Sequence, residues 1–235
     1  MRRLSAGPLL AALAIALPGA SQAASRGFTV TDFDRIRVSG PYEVVVRTGP
    51  AAAARAEGSP QALDRLRIEV NARTLSIRTD RTDSGWQDRG EGKVRIAITV
   101  PQLIAAAING SGSLAIDRAK AARFDLTLAG SGDIRLAALT ADRVIVGING
   151  SGDVALGGKV AQARIIVQGS GDVDAGGLVA QDADISVSGS SNVTLAATRT
   201  AKVDARGAGD VTVLGKPVCT VRASGAGNVA CGPAR

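Results

Sequence analysis

Histidine is absent from all 235 residues, which removes Ser-His-Asp and Cys-His catalysis and every His-ligated metal site. Aromatic rings are nearly as scarce, at three Phe, one Trp and one Tyr. Compact sandwiches lean on large side chains for their cores, so this poverty points to an architecture of many thin, stacked layers. Cysteine is limited to Cys219 and Cys231. The longest early apolar run, Leu9–Leu17, has nine residues, against the roughly 20 that a membrane-spanning helix needs. Glycine is the excess, at 29 residues in a chain that is 45% hydrophobic.

The first residues read as an export signal. Arg2 and Arg3 supply a positive start, Leu9–Leu17 an apolar stretch, and Pro18 breaks it. Ser21-Gln22-Ala23 puts small residues where a signal peptidase reads, so cleavage is expected after Ala23. Ala24, not a cysteine, stands immediately after that point, so no lipid anchor is expected, and no later segment is long enough to span a bilayer. Loss of Arg2 and Arg3 from 28 basic residues leaves 26 against 21 acids, a net +5. Arg and Asp alternate along the chain, as at Asp34, Arg35 and Arg37. Without a basic run or stacking aromatics, no nucleic-acid partner is expected.

An internal repeat organises the rest. Gly110-Ser-Gly-Ser113, Gly130-Ser-Gly-Asp133, Gly150-Ser-Gly-Asp153 and Gly169-Ser-Gly-Asp172 continue as Gly189-Ser-Ser-Asn192, Gly207-Ala-Gly-Asp210 and Gly225-Ala-Gly-Asn228. Their first glycines are spaced by 20, 20, 19, 20, 18 and 18 residues. Apolar residues stand two and four positions before each first glycine, as in Leu126/Leu128 and Val146/Ile148. They stand again four and six positions after it, as in Ile134/Leu136 and Val154/Leu156, with polar or small residues between. This alternation gives two half-buried strands per repeat, joined by a glycine corner. One such unit cannot bury its apolar face alone; stacked units can. The expected fold is therefore all-β, a β-solenoid (a parallel β-helix, right-handed by the usual crossover rule) with 18–20 residues per coil. Seven coils would stand roughly 33 Å tall. A sandwich of hairpins is the alternative fold, but it has no need of the constant spacing.

Residues 24–100 are less regular and are expected to form an N-terminal β cap and the first coils, continuous with the regular solenoid of 101–235. Ile36, Val38, Gly40, Val44 and Val46 already keep the repeat's register, with Pro41-Tyr42 in the corner. Asn71 to Thr74 reads as a turn, and the polar stretch Thr79 to Gly92 as an exposed loop carrying Trp86. A break is expected at Gly215-Lys-Pro217.

Few residues carry candidate chemistry. Asp133, Asp153 and Asp172 share one repeat position with Asp210, Asn192 and Asn228, and a stacked carboxylate ladder could coordinate a cation. The plainer reading is that each side chain accepts an N–H of its turn, a task open equally to Ser and Asn. The Gly-Ser-Gly corners could cradle phosphate, but seven copies without a following helix or lysine favour glycines at positive φ. Cys219 and Cys231 flank Gly225 at inward positions of the last coil. In an exported chain this favours a disulfide. The large pairs Phe124/Leu136 and Val144/Leu156 at the equivalent positions of earlier coils favour two separate thiols, because they fill a wide gap. The glycosylation-type triplets at Asn109, Asn149 and Asn192 are by-products of turn composition. Trp86 and Tyr42 are too few to line a sugar cleft.

Phe33-Asp-Arg-Ile36-Arg-Val38-Ser-Gly40, the strand Val94-Arg-Ile-Ala-Ile-Thr-Val-Pro101, the Gly-Ser-Gly-Asp series and the late Gly215-Lys-Pro217 with Ser224-Gly-Ala-Gly227 together resemble a bacterial family of unknown function. That family is known as "putative auto-transporter adhesin head, GIN domain". The resemblance implies an exported β-helical protein with no established activity and no catalytic residues to carry over. The chain ends at Arg235 without a translocating barrel, so it is not expected to carry itself across an outer membrane.

The expected function is a non-catalytic exported binding or scaffold module of the bacterial cell envelope, adhesin-like in use. It would be periplasmic or displayed at the surface, with no cofactor and with an envelope or extracellular polymer or protein as partner. The alternative is a polysaccharide-acting β-helix enzyme, a lyase or hydrolase. That reading needs carboxylates grouped on one outer face, whereas Asp174, Asp184 and Asp204 stand at different repeat positions.

Overall fold

A computed structural model describes residues 24–80 and 93–232. The leader expected over 1–23 and the Trp86 loop lie outside the described residues. The repeat sequence folds into five long strands, β9 (Ser113–Gly130), β10 (Asp133–Gly150), β11 (Val154–Gly169), β12 (Val173–Gly189) and β13 (Val193–Gly207), preceded in the chain by the eight shorter strands given below. Three short ones follow: β14 (Val211–Gly215), β15 (Val218–Gly225) and β16 (Val229–Cys231). Each long strand lies parallel to the next, Gly130 beside Gly150, Gly150 beside Gly169 and Gly169 beside Gly189. The result is a β-solenoid of about six turns, the number of intervals that seven glycine corners enclose.

One expectation is corrected. Two strands per repeat were expected, but β9 to β13 run through the bend as single strands of 15 to 18 residues. The polar and small residues at the bend do not stop the ladder, because parallel neighbours above and below keep taking its hydrogen bonds. The bend shows as shifts of register, between Leu136 and Leu139, between Ala155 and Gly157, between Ala175 and Val179, and between Ala180 and Asp182.

The glycine corners are fixed by backbone geometry. Gly110, Gly130, Gly150, Gly169, Gly189, Gly207 and Gly225 have φ from 118° to 135°, a region that side-chain-bearing residues rarely enter. The third residue of the motif is glycine for a different reason, since backbone lies directly over backbone there. A Cβ on Gly112 would stand 2.7 Å from the carbonyl oxygens of Gly40 and Tyr42. Ser191, the exception in this column, is fully buried and its hydroxyl donates to Gly169 O at 3.0 Å.

Inside, the alternating apolar residues stack into columns, for instance Ile108, Leu128, Ile148, Val167 and Val187, all buried. Each contributes about 1.5–3 kcal/mol by leaving water, and each covers the side chain in the coil below it.

The N-terminal end is closed differently. Its strands are β1 (Ala24–Phe28), β2 (Arg35–Ser39), β3 (Glu43–Thr48), β4 (Ala53–Gly58), β5 (Leu66–Asn71), β6 (Thr74–Thr79), β7 (Arg95–Val100) and β8 (Ala105–Gly110). β2 and β3 form the first coil, parallel to β8 and β9, with Gly40 above Gly110. β6 and β7 add one parallel layer above it. Pairing then turns antiparallel, β5 on β6, β4 on β7 and β1 on β4, which ends the stack. Helix α1 (Pro60–Arg65) is capped by Ser59, whose Oγ accepts Ala62 N–H at 3.2 Å, and it buries Ala62 and Leu63. The β5–β6 turn is tight, with Ala72 at φ 45° and Arg73 at φ 61°. Arg73 is held there by Asp34, whose carboxylate lies 2.9 Å from its Nε, while Arg73 O accepts the N–H groups of Asp34 and Arg35. Tyr42 is buried, its hydroxyl 2.6 Å from Thr79 Oγ1, and serves packing. Among the described residues no helix is long and apolar enough to cross a membrane.

Candidate binding groove

The outward positions of the strand that follows each corner stack as strictly as the inward ones. Val45, Ala115, Arg135, Ala155 and Asp174 lie side by side in successive coils. Two residues further on stand Arg47, Asp117, Ala137 and Gly157. The small side chains leave a trough of about 540 Å³ running across the coils, lined also by Arg47, Asp117, Arg135 and Asp174, with Arg135 standing between Ala115 and Ala155. Its floor is as rigid as the ladder beneath it. Asp117 is held in place: its carboxylate accepts Thr48 N–H at 3.1 and 3.2 Å and Arg118 N–H at 2.6 Å.

A smaller hollow of about 370 Å³ lies at the adjoining bend, between Arg123, Asp142, Arg143 and Gln162. Arg123 and Arg143 are neighbours in register. Arg123 Nε donates to Asp125 at 2.9 Å, and Arg143 donates twice to Gln162 Oε1, at 3.0 and 2.7 Å.

Asp133, Asp153 and Asp172 form the expected ladder on the edge of this face. Its hydrogen bonds run between coils. Asp153 Oδ1 accepts Asp172 N–H at 2.9 Å, Asp172 Oδ1 accepts Asn192 N–H at 2.8 Å, and Asp210 Oδ1 accepts Asn228 N–H at 2.8 Å. Asn192 does the same for Asp210 at 3.2 Å. Among the described residues no group of three or more His, Cys, Asp or Glu is placed to hold a metal ion. Asp174, Asp184 and Asp204 point to different columns. Elsewhere Glu43 is held below the usual carboxylate range by hydrogen bonds from Arg95 and Lys93, and Asp182 is lowered to about 2 by Arg199 and then Thr200.

Cys219 and Cys231 are joined as a disulfide with Cα atoms 6.5 Å apart. The facing pairs are smaller in the later coils, Phe124/Leu136 and Val144/Leu156 giving way to Ala163/Ala175, Ala183/Leu195 and Ala201/Val213. The last rung is thus narrow enough for sulfur.

The sequence reading missed the groove. Its signal was present in the repeat's fifth position after the first glycine, where Ala115, Arg135, Ala155 and Asp174 follow one another.

The profile of the family described as "Putative auto-transporter adhesin, head GIN domain" matches residues 32–217. The chain belongs to this family. Solved structures share the GIN-domain fold. One, named a "putative adhesin" from Bacteroides fragilis NCTC 9343, superposes with a TM-score of 0.81 at 24% identity, covering 89% of this chain and 97% of its own. A "putative lipid binding protein" from Parabacteroides distasonis ATCC 8503 gives 0.73 at 20% identity, over 91% and 97%. A "putative adhesin" from Parabacteroides merdae ATCC 43184 gives 0.68 at 15%, over 91% and 97%. No curated protein matches the chain. The match to the GIN-domain profile ends at residue 217, immediately before β15, so the cystine coil lies beyond the matched region.

Proposed function

We propose that this chain is an exported, non-catalytic module of the bacterial cell envelope that holds an extended ligand lengthwise in the outer groove. The observation that carries this reading is the trough itself, about 540 Å³ of open space lined by the small residues Ala115, Ala137, Ala155 and Gly157 on parallel, hydrogen-bonded strands. A rigid, open-ended floor suits a chain-like ligand, because small contacts repeat from coil to coil and add as avidity. The adhesin and lipid-binding names of its relatives accord with a binding role, and the residues of 1–23 accord with export.

Co-sedimentation of the mature protein with isolated envelope fragments tests the reading. Ala155→Trp fills the trough from an outward position and should abolish retention while leaving the circular dichroism spectrum unchanged. Retention equal to wild type would remove the groove from the account. Protease treatment of intact against permeabilised cells then separates surface from periplasm.

A further inference from the structure

The two ends of the column are finished differently. At the N-terminal end the ladder turns antiparallel through β5, β4 and β1. At the other end the last coil keeps the geometry with which every earlier coil receives its successor. Val154, Val173, Val193 and Val211 each donate a backbone N–H to the following coil, to Asp172 O, Asn192 O, Asp210 O and Asn228 O at 2.8 to 2.9 Å. Val229 is the same donor in the last coil. Gly169, Gly189 and Gly207 accept at their carbonyl oxygens from Ser190, Ala208 and Ala226 N–H, and Gly225 O is next in that series. Asp172, Asn192 and Asp210 accept through their side chains from the following coil, and Asn228 Oδ1 comes after them. Among the described residues β15 pairs only with β13 and β16 only with β14, so all three series run out at an open end, where the inward Val221 is exposed. Sheets ordinarily cover or blunt such an edge. The Cys219–Cys231 disulfide instead ties the two edge strands across the interior and holds them in place for a partner at little entropic cost.

We infer that this open end docks on the same end of a second copy of the chain, about a two-fold axis perpendicular to the column. The end consists of two edge strands on opposite faces, β15 and β16, with their cysteines bonded between them. An extended peptide can pair with one edge, whereas a second copy covers both edges and the apolar interior together. Val221 and Val229 stand four positions before and four after Gly225, each next inward from a bonded cysteine. One axis through both valines therefore centres both strands, and the isologous contact closes on itself. Antiparallel pairing about that axis sets Val221 beside the second copy's Val221 and Cys219 beside its Ala223. On the other face Val229 meets Val229 and Cys231 meets Gly227. Arg222 falls opposite the second copy's Thr220, whereas centring β15 on Arg222 would set that cation on itself, a destabilising pair. The N-terminal end, already turned antiparallel, offers no copy of this arrangement, so the assembly stops at two. Because the axis crosses both faces, the two grooves open on one side of a single rod, although the pairing itself does not depend on them.

Sedimentation equilibrium of the mature protein, with its disulfide formed, tests the pairing. The mass should pass from one chain to two as concentration rises and go no further. Thr220→Lys sets a cation opposite Arg222 and should weaken the dimer at least tenfold, whereas Thr220→Glu sets a carboxylate there and should tighten it. Thr140→Lys adds the same charge at an exposed position of an earlier coil and should leave the dissociation constant within twofold. Thr220 is itself exposed, so the circular dichroism spectrum should be unchanged in all three variants. A monomer at every concentration would overturn the proposal, and so would a mass that grows beyond two chains, the mark of end-to-lid stacking into filaments. A dimer that Thr220→Lys disturbs no more than Thr140→Lys, or that both changes at Thr220 weaken alike, would overturn it as well.

Discussion

Asp172 Oδ1 accepts two hydrogen bonds from Asn192, from its backbone N–H at 2.8 Å and its side-chain amide at 3.1 Å, although the two residues are 20 apart in sequence. The bond joins one coil to the next outside the main-chain ladder. It makes the recurring Asp or Asn of the repeat a brace between layers.

Asp172→Ala should therefore cost about 1–2 kcal/mol, since it removes the acceptor of two hydrogen bonds each worth about 1 kcal/mol. Asp172→Asn should cost little, because an amide oxygen can still accept, as Asn192 does for Asp210. Urea denaturation of the two variants beside wild type checks the difference. Equal losses would mean that charge, and not acceptance, is what the position supplies.

The two kinds of glycine should respond oppositely to alanine. Gly152 lies against Gly132 O and N, and a Cβ there would overlap both. Gly152→Ala should destabilise by more than about 2 kcal/mol. Gly147 has nothing within 4 Å of the same point, so Gly147→Ala should be neutral or stabilise by up to about 1 kcal/mol. Thermal unfolding of each variant reads this directly.

The cystine coil should loosen alone. Val221 continues the inward column of Ile185 and Val203 yet is 42% exposed, where Val203 is 1%. The disulfide closes 12 residues of separation, worth about 3 kcal/mol on the loop-entropy account. Reduction should speed hydrogen exchange over β15 and β16 and open Arg222 to trypsin, leaving β9 to β12 protected. Uniform loss of protection would show that the last coil is integral to the whole stack.

Acid stability should depend on Asp182. Its carboxylate takes hydrogen bonds from Arg199 and, at 2.6 Å, from Thr200 Oγ1, and its pKa falls from 3.8 to about 2. The folded pKa lies below the unfolded one, so the contribution is present above about pH 4 and is lost as pH falls toward 2. Wild type should lose Tm more steeply than Asp182→Asn across that window. Parallel curves would dismiss the pair.

The solenoid was legible because its two signals reinforce each other. Glycine at a fixed spacing marks the corner, and Leu126/Leu128 before it with Ile134/Leu136 after it mark the faces. The strand pairing within the expected cap was not legible. β4 and β7 pair antiparallel through short, unrepeated sequences such as Ala54 beside Ile98, and nothing local chooses that partner. The groove was hidden for a related reason: Ala115, Arg135, Ala155 and Asp174 are neighbours only once coils of unequal length have been stacked. The disulfide could not be decided from Phe124 and Leu136, because the facing pairs include an alanine only from Ala163/Ala175 onward.

The register that sets Asn149 beside Gln168 and Gly150 beside Gly169 makes the height of the column separable from its ends. Excision of residues 150–168 would join Asn149 to Gly169 and bring β12 down onto β10 with corner on corner, inside on inside and outside on outside. Neither the antiparallel lid nor the terminal cystine would sense the loss. Stature in this architecture is thus a quantity that duplication or deletion can adjust in whole steps, and the reach of its outer face would be adjusted with it.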